Sequence, residues 1–321
     1  MICAKNEAKD LSQNLPYILM QNHSSFEVIV VNDFSTDKTS EIVYRFQKQF
    51  DNLRLIHSTD KDSISKRSAL KYGVKNSKYD VVLFTDADCR PISKNWITLM
   101  LSKLSKDANC VLGYSPYIAY QTFLNYIIQF ETLQTAVLYF SKAIQNQAYM
   151  AVGRNVMYRK STFLESENFE FEHKLRSGDD DLLIQNIKDK SKINVSLDNN
   201  SFVLSRPKLT WTSWWKQKQR HYTTAPHYQW SFQLFLGAYY AFHCIFWLSF
   251  ILLYLSSYSL LSLSAFWIYL LGSTFIWIYF AKLFKVSWSV MAIWPILQLT
   301  LLMLQTCMGL QSLFRKQTTW Q

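Results

Sequence analysis

The sequence predicts an α/β domain built on a parallel sheet and followed by membrane-spanning helices. Two observations carry this. Over the first ninety or so residues, β-branched runs alternate with segments of helical period. Beyond Trp230 the charge almost vanishes: there is no Asp or Glu from Ser231 to Gln321, and the only cations are Lys282, Lys285, Arg315 and Lys316. At 321 residues the chain has room for two or three units, the first with a sizeable core.

The elements follow in order. "FEVIVVNDFSTD" (26–37) is a strand that runs into a polar turn, where Asp37 or Thr36 can cap a helix through "KTSEIVYRFQKQF". "NLRLIHS" (52–58) is a second strand, "KRSALKYGVKNS" (66–77) a helix, and "YDVVLFTDAD" (79–88) a third strand. This alternation implies a parallel sheet that binds ligands at the carboxyl ends of its strands. Asn32-Asp33, His57-Ser58 and Asp86-Ala87-Asp88 all fall at such ends and read as one site. Only Met1-Ile2 precede the first polar turn, so the expectation is a truncated first strand or a start assigned late.

The segment 117–143 is long and apolar but carries Gln129, Glu131 and Gln134, which predicts an amphipathic helix lying on a bilayer. "WTSWWKQKQRHY" (211–222) sets aromatics and cations at helical spacing. Three apolar stretches follow, Leu234–Leu255, Leu260–Phe280 and Ser289–Leu313, each of about the 20 residues a span requires. Lys282 and Lys285 put the second break on the cytoplasmic side. A third full span places Arg315 and Lys316 outside, against the positive-inside tendency, and Pro295 offers a break or a re-entrant alternative. The predicted organisation is a cytoplasmic domain over 1–205, a basic aromatic interfacial region over 206–230, and about three transmembrane helices over 231–321.

The net charge of +11 comes from the first 230 residues, which hold 30 of the 34 Lys and Arg against all 23 acids. A basic surface beside an apolar tail points to anionic headgroups or phosphorylated ligands, and no nucleic-acid motif accompanies it. Cys3, Cys89, Cys110, Cys244 and Cys307 are scattered, which excludes a disulfide frame and suits a reducing compartment. The six histidines show no metal spacing, and no signal peptide precedes the first domain, which is expected to stay cytoplasmic.

"AKNEAKDLSQNLPYIL", "VVNDFSTDKT", "FTDADC", "GRNVMYRKSTF", "SGDDDLLIQ" and "QKQRH" occur in the order and spacing of glycosyltransferase family 2, and residues 1–222 resemble it. The resemblance implies a GT-A fold (Rossmann-like), an inverting reaction and a nucleotide-sugar donor. With the appended spans, the chain looks like the family's membrane-bound bacterial members, which act at the cytoplasmic membrane in building the cell envelope.

Carboxylates one residue apart repel unless something positive lies between them, and a hard divalent cation, Mg²⁺ or Mn²⁺, suits oxygen ligands. The resemblance makes Asp88 the direct ligand and sets Asp86 near ribose and metal. It sets Asp33 against the uracil and ribose of a UDP-type donor, with Glu7 bordering that pocket and Asn32 where an Asp is common. Lys66 or Arg67 would approach the diphosphate, although a solvated helix face reads equally well. Anchoring D-x-D-L on Asp181-Leu182 makes Asp179 the catalytic base and Asp180 the alternative, Gly178 standing where many relatives have an acid. Gln217 and Arg220 match QxxRW with His221 in place of the Trp, and a membrane-surface helix would look the same. Asn155 would shape the floor near the transferred sugar. The acceptor expected is a lipid or lipid-linked glycan. The rival readings are a processive polysaccharide synthase and a non-catalytic membrane subunit.

Overall fold

The computed structural model describes residues 1–58, 66–166, 179–188, 192–222, 224–256 and 259–314, leaving out the side chains of Asp179, Ser259 and residues 312–314. Of the residues singled out above, Ser177, Gly178, Arg315 and Lys316 lie outside the described residues.

The β-branched run at 26–37 forms β2 (Val28–Asn32), and all five of its residues are buried. It lies between β1 (Ile2–Ala4) and β3 (Leu53–His57), both parallel to it, with Ile2 opposite Val30 and Val28 opposite Leu53. On its other side β1 pairs in parallel with β4 (Val81–Asp86), Ile2 lying opposite Thr85. β1 therefore holds a central position, and the Met1 amine donates to the Leu83 carbonyl at 2.8 Å. The predicted helices appear as α1 (Ala8–Leu19), α2 (Thr39–Gln47) and α3 (Lys66–Lys75). One apolar face of each packs toward the sheet through Leu11 and Leu15, Val43, and Ala69 and Val74.

After β4 come the short β5 (Cys89–Pro91), α4 (Trp96–Ser102), β6 (Ala108–Gly113), α5 (Phe123–Ile144), β7 (Val156–Arg159), α6 (Lys160–Ser166), α7 (Asp179–Lys188), β8 (Lys192–Ser196) and β9 (Val203–Ser205). Among the described residues the main sheet has seven strands in the order β3-β2-β1-β4-β7-β6-β8, and β5 pairs with β9 in a separate ribbon. Only β7 runs antiparallel, against β4 and β6. The order reverses at β1, and at such a switch point the loops after adjacent strands part to leave a crevice. The core beneath it gathers Ile2, Leu15, Val30, Trp96, Met100 and Met157.

The chain divides into two compact units, Met1–Ile118 with Leu138–Pro207, and Ala119–Val137 with Lys208–Gln321. Residues 119–137 join the second unit. There Phe130 packs edge-on against Trp277 at 5.3 Å and Glu131 pairs with Lys218 at 2.6 Å. This corrects the expectation of a surface helix: α5 buries Ile127, Phe130, Leu133 and Ala136, and also Asn125, Gln129 and Gln134. Gln129 Nε2 donates to Asn125 Oδ1 at 2.7 Å, and the same oxygen accepts the Tyr120 N–H at 2.7 Å. Amides satisfied in this way are at no disadvantage inside.

The rest of the second unit is α8 (Trp211–Tyr222), α9 (Trp230–Tyr254), α10 (Ser259–Phe284), α11 (Trp288–Ala292) and α12 (Trp294–Phe314). α9 and α10 form an antiparallel pair, with Phe246 stacked on Tyr269 at 4.0 Å and Phe250 on Phe266 at 4.8 Å. Among the described residues two helices, Trp230–Tyr254 and Leu260–Phe284, are long and apolar enough to cross a membrane. The third expected span is not one of them. The chain breaks at Ile293, Pro295 enters the first turn of α12 where a missing N–H costs little, and α12 carries Gln298, Gln305 and Gln311.

Candidate active site

β4 ends at Asp86 and β5 begins at Cys89, so Ala87 and Asp88 make the turn between them. Ala87 is buried and its carbonyl accepts Asn14 Nδ2 at 3.0 Å, which pins the turn to α1. Asp86, Asp88 and Cys89 each bring a ligand atom into one group whose members lie within 4.8 Å of one another. The Cys89 thiol donates to Asp88 Oδ1 at 3.2 Å. Burial pushes the Asp88 carboxyl above its ordinary value and the charge of Asp86 adds to this, while Arg154 opposes it.

Lys66, the first residue of α3, is the Asp86 counter-ion, with Nζ 2.6 Å from Oδ1. Desolvation lowers the pKa of this ammonium, but Asp86 and Asp180 outweigh it and the net shift is upward. Lys66 therefore stays cationic and faces acids from both β4 and α7.

Asp33 follows β2 directly, is only 5% exposed, and its Oδ1 accepts no hydrogen bond among the described residues. Burial raises its pKa and Lys5 pulls it back. A buried carboxylate oxygen without a donor is a costly vacancy unless a ligand supplies the donor. Its neighbour Asn32 is fully used: Nδ2 donates to Ser40 Oγ at 2.7 Å and Oδ1 accepts the Ser35 N–H at 3.0 Å. Glu7 opens α1 without capping it, and its pKa is pushed up to about 7. Burial is the main cause, followed by a hydrogen bond with Asp10 and repulsion from Asp10, Asp88 and Asp86. Asp10 is held by Arg206 at 2.5 Å. Glu7, Asp33, Lys66 and Asp86 all act on the Cys3 thiol, and Asp88 acts on Glu7, so the five side chains gather at one edge of the sheet.

α7 brings its acids to the loop before β7. A Cβ built on Gly153 would lie 2.0 Å from Asp180 Oδ2, so the carboxylate rests directly on that backbone. Asp181 Oδ1 accepts the Ala151 N–H at 3.3 Å. Asp179 begins the helix, and its side chain lies outside the described residues.

Asn155 is wholly buried and its carboxamide is spent inside the protein. Nδ2 donates to the carbonyls of Tyr114 and Ser201 at 2.8 and 2.9 Å, and Oδ1 accepts Trp96 Nε1 at 2.9 Å. It braces Trp96, Tyr114 and Ser201 and leaves no free amide for a nucleotide-sugar. Gln217 and Arg220 lie on α8, in the second unit. α8 is tied there by Trp215 Nε1 and Gln219 Nε2, which both donate to Gln311 Oε1 at 3.1 and 2.6 Å.

Sequence reasoning passed over Arg154, although it stands beside Asn155 in "VGRNVMY". Its Nη1 donates to the Tyr117 hydroxyl at 2.6 Å and its guanidinium lies 4.5 Å over the Tyr117 ring. Its charge acts on Asp86, Asp88 and Cys89 together. A cation in a loop already marked by its neighbours was the available signal. Gly153 was missed as well, because its importance is a contact and not a composition.

The model of the family described as Glycosyl transferase family 2 matches residues 1–165. The probable glycosyltransferase YdaM of Bacillus subtilis (strain 168) is 26% identical over 234 residues, which cover 68% of this chain and 53% of that protein. The poly-beta-1,6-N-acetyl-D-glucosamine synthase of Staphylococcus aureus (strain COL) is 30% identical over 88 residues, 27% of this chain and 21% of that protein. The chain therefore spans about half the length of the first relative and a fifth of the second. Among solved structures, the mannosyltransferase PcManGT from Pyrobaculum calidifontis, in complex with GDP-Man and Mn²⁺, superposes with a TM-score of 0.57 at 17% identity. The match covers 98% of this chain and 86% of that one, and it is a likeness of fold.

Proposed function

The chain belongs to glycosyl transferase family 2, and from this we propose that it moves a sugar from a nucleotide-sugar donor, a UDP-sugar, to a lipid or lipid-linked glycan at the cytoplasmic membrane of a bacterium. The observation that carries the reading is the meeting of Asp86, Asp88 and Lys66 at the sheet edge that also holds the unpartnered Asp33 oxygen. In that arrangement Asp33 accepts a hydrogen bond from the base or a ribose hydroxyl, and Glu7 closes the nucleoside pocket. Lys66 is placed to exchange Asp86 for the donor diphosphate.

Asp86 and Asp88 offer hard oxygen donors in one cluster, which fits Mg²⁺ or Mn²⁺, and the relative of like fold holds Mn²⁺. Such an ion, when bound, neutralises charge on the leaving diphosphate. A carboxylate at the start of α7, Asp180 or Asp179, takes the acceptor's hydroxyl proton. The freed oxygen bonds to the anomeric carbon on the face opposite the diphosphate, the carbon–oxygen bond to the nucleoside diphosphate breaks, and configuration inverts. The two apolar helices α9 and α10 suit a catalytic unit tied to the membrane, which favours a lipid-borne acceptor.

The test is UDP binding by detergent-solubilised protein, with Mn²⁺ and with EDTA, in wild type and Asp88→Asn. Binding that needs the metal and is lost in the variant supports the donor site. If folded protein binds neither UDP nor GDP in either condition, the reading fails and a non-catalytic membrane subunit takes its place. A product-length assay separates single transfer, expected here, from a processive synthase.

A further inference from the structure

A pocket of about 440 Å³, which the donor site does not use, opens between the end of α10 and α11, lined by Ala281, Lys282, Lys285, Val286 and Trp288. Cavities of this size accept small polar ligands. The Val286 N–H donates to the Ala281 carbonyl at 2.9 Å, closing a helix-ending turn in which Lys285 adopts φ 57°. Glycine or asparagine is the favoured residue at such a position, and a lysine there stands against the backbone preference. An outlier of this kind directs attention to what the side chain does.

These lysines have no acid to pair with in their own unit. The second unit contains eight Lys and Arg but a single acid, Glu131, and Lys218 holds it at 2.6 Å. A cation in the last helical turn complements the helix dipole, which accounts for Lys282. It does not account for Lys285, beyond the helix, or for the pocket between them. The surroundings are apolar and open: Phe275, Tyr279 and Trp288 are 77%, 61% and 62% exposed. Tyr279 and Phe275 lie one and two turns before Lys282 on the same face of α10, and an exposed Trp beside paired lysines is the composition of a headgroup region.

We propose that this pocket binds the phosphate of an anionic phospholipid headgroup in the cytoplasmic leaflet. Lys282 and Lys285 neutralise the phosphate, and the acyl chains run along Phe275 and Tyr279. A free phosphate shares the headgroup chemistry but would leave that apolar face uncovered, so the lipid is the better occupant. The proposal rests on the reading of α9 and α10 as membrane spans, and not on the donor site.

The test reconstitutes the full chain in vesicles of phosphatidylcholine with a minor share of phosphatidylglycerol, then extracts it gently and quantifies the lipids that remain bound. Wild type should retain phosphatidylglycerol above its share of the bilayer, and the preference should fall about fivefold for each lysine removed in Lys282→Gln and Lys285→Gly. Lys285→Gly puts at φ 57° the residue that this conformation prefers while removing the cationic side chain, so its outcome is not confounded by misfolding; UDP binding should be unchanged in both. Equal enrichment in wild type and the double variant, or none in wild type, overturns the proposal. So does displacement of the lipid by millimolar inorganic phosphate, which would make the site one for the free anion. If alkaline carbonate releases wild type from membranes, the spanning reading falls and the proposal with it; retention without enrichment sinks the proposal alone.

Discussion

Gly153 has no side chain, and Asp180 Oδ2 occupies the space where one would be, 2.0 Å from an added Cβ. Gly153→Ala should therefore displace the carboxylate while leaving Asp33, Asp86 and Asp88 where they are. A misplacement of about 1 Å at a reacting group costs on the order of 100-fold in rate, so kcat should fall by about that factor while UDP affinity holds. Asp180→Asn and Asp179→Asn then divide the roles. The acid whose loss lowers kcat by about 100- to 10,000-fold at unchanged donor affinity is the base. If Gly153→Ala leaves kcat intact, the position of Asp180 does not matter to turnover. Glu7 permits a second prediction, on stability in the absence of metal and donor. Its pKa in the folded protein is about 7, above the ordinary 4.5, so the native state holds a proton that the unfolded chain gives up. The penalty is absent below pH 4.5, grows between pH 4.5 and 7, and is constant above. Glu7→Gln should remove that slope and raise the melting temperature at pH 8 but hardly at pH 4.5. Parallel melting curves for the two proteins across that window would refute it. That Asp86 and Asp88 cluster was legible in the sequence, because residue type, spacing and position at a strand end bring their carboxylates together. Gly153 and Arg154 were not, since each acts through a neighbour that only the fold supplies.

Asn155 shows how a loop can decide whether an element holds. Its three hydrogen bonds reach Trp96 on α4 and the carbonyls of Tyr114 and Ser201, and so tie together segments that flank β6 and β9. Asn155→Leu keeps the volume but takes the partner from two buried groups, Trp96 Nε1 and the Ser201 carbonyl, each costing about 1–3 kcal/mol, while the Tyr114 carbonyl keeps the Val203 N–H at 3.2 Å. The thermal midpoint should drop by several degrees, and UDP affinity of the fraction that remains folded should not change. A loss of affinity in fully folded protein would instead return Asn155 to the donor pocket. The same contrast separates what the sequence disclosed about the elements from what it withheld. β2, β3 and β4 and their helices show clear periods, and each appears where the period put it. β7 has four residues, too few for a period, and its antiparallel direction depends on the partners it finds in β4 and β6. α5 was misjudged for a different reason. Its glutamines look like a polar stripe, but Gln129 and Asn125 satisfy one another in the interior, and polarity in a sequence does not distinguish water from a hydrogen-bonded partner.

The division of the chain has a consequence for any attempt to isolate the first unit. A boundary at 205 or 207 looks natural in sequence, where the charged half gives way to the apolar one. Yet residues 119–137 belong with 208–321, because Phe130 has Trp277 as its packing partner and Glu131 has Lys218 as its counter-ion. A fragment of residues 1–207 keeps the helix and loses both partners. Phe130, fully buried in the intact chain, would then face solvent, and Glu131 would lose its counter-ion. With 208–321 removed, the apolar face of 119–137 that they cover is open to solvent and offers a surface for self-association. The fragment should therefore run as aggregates in size-exclusion chromatography without detergent, while Phe130→Ser with Glu131→Gln in the same fragment should shift it toward monomer. A monodisperse, UDP-binding fragment with its native sequence would show that α5 is held by the first unit, and that the apolar helices serve only as an anchor. Aggregation relieved by the two substitutions would show the opposite: residues 119–137 depend on 208–321 for their cover, and the apolar half of the chain is more than an anchor.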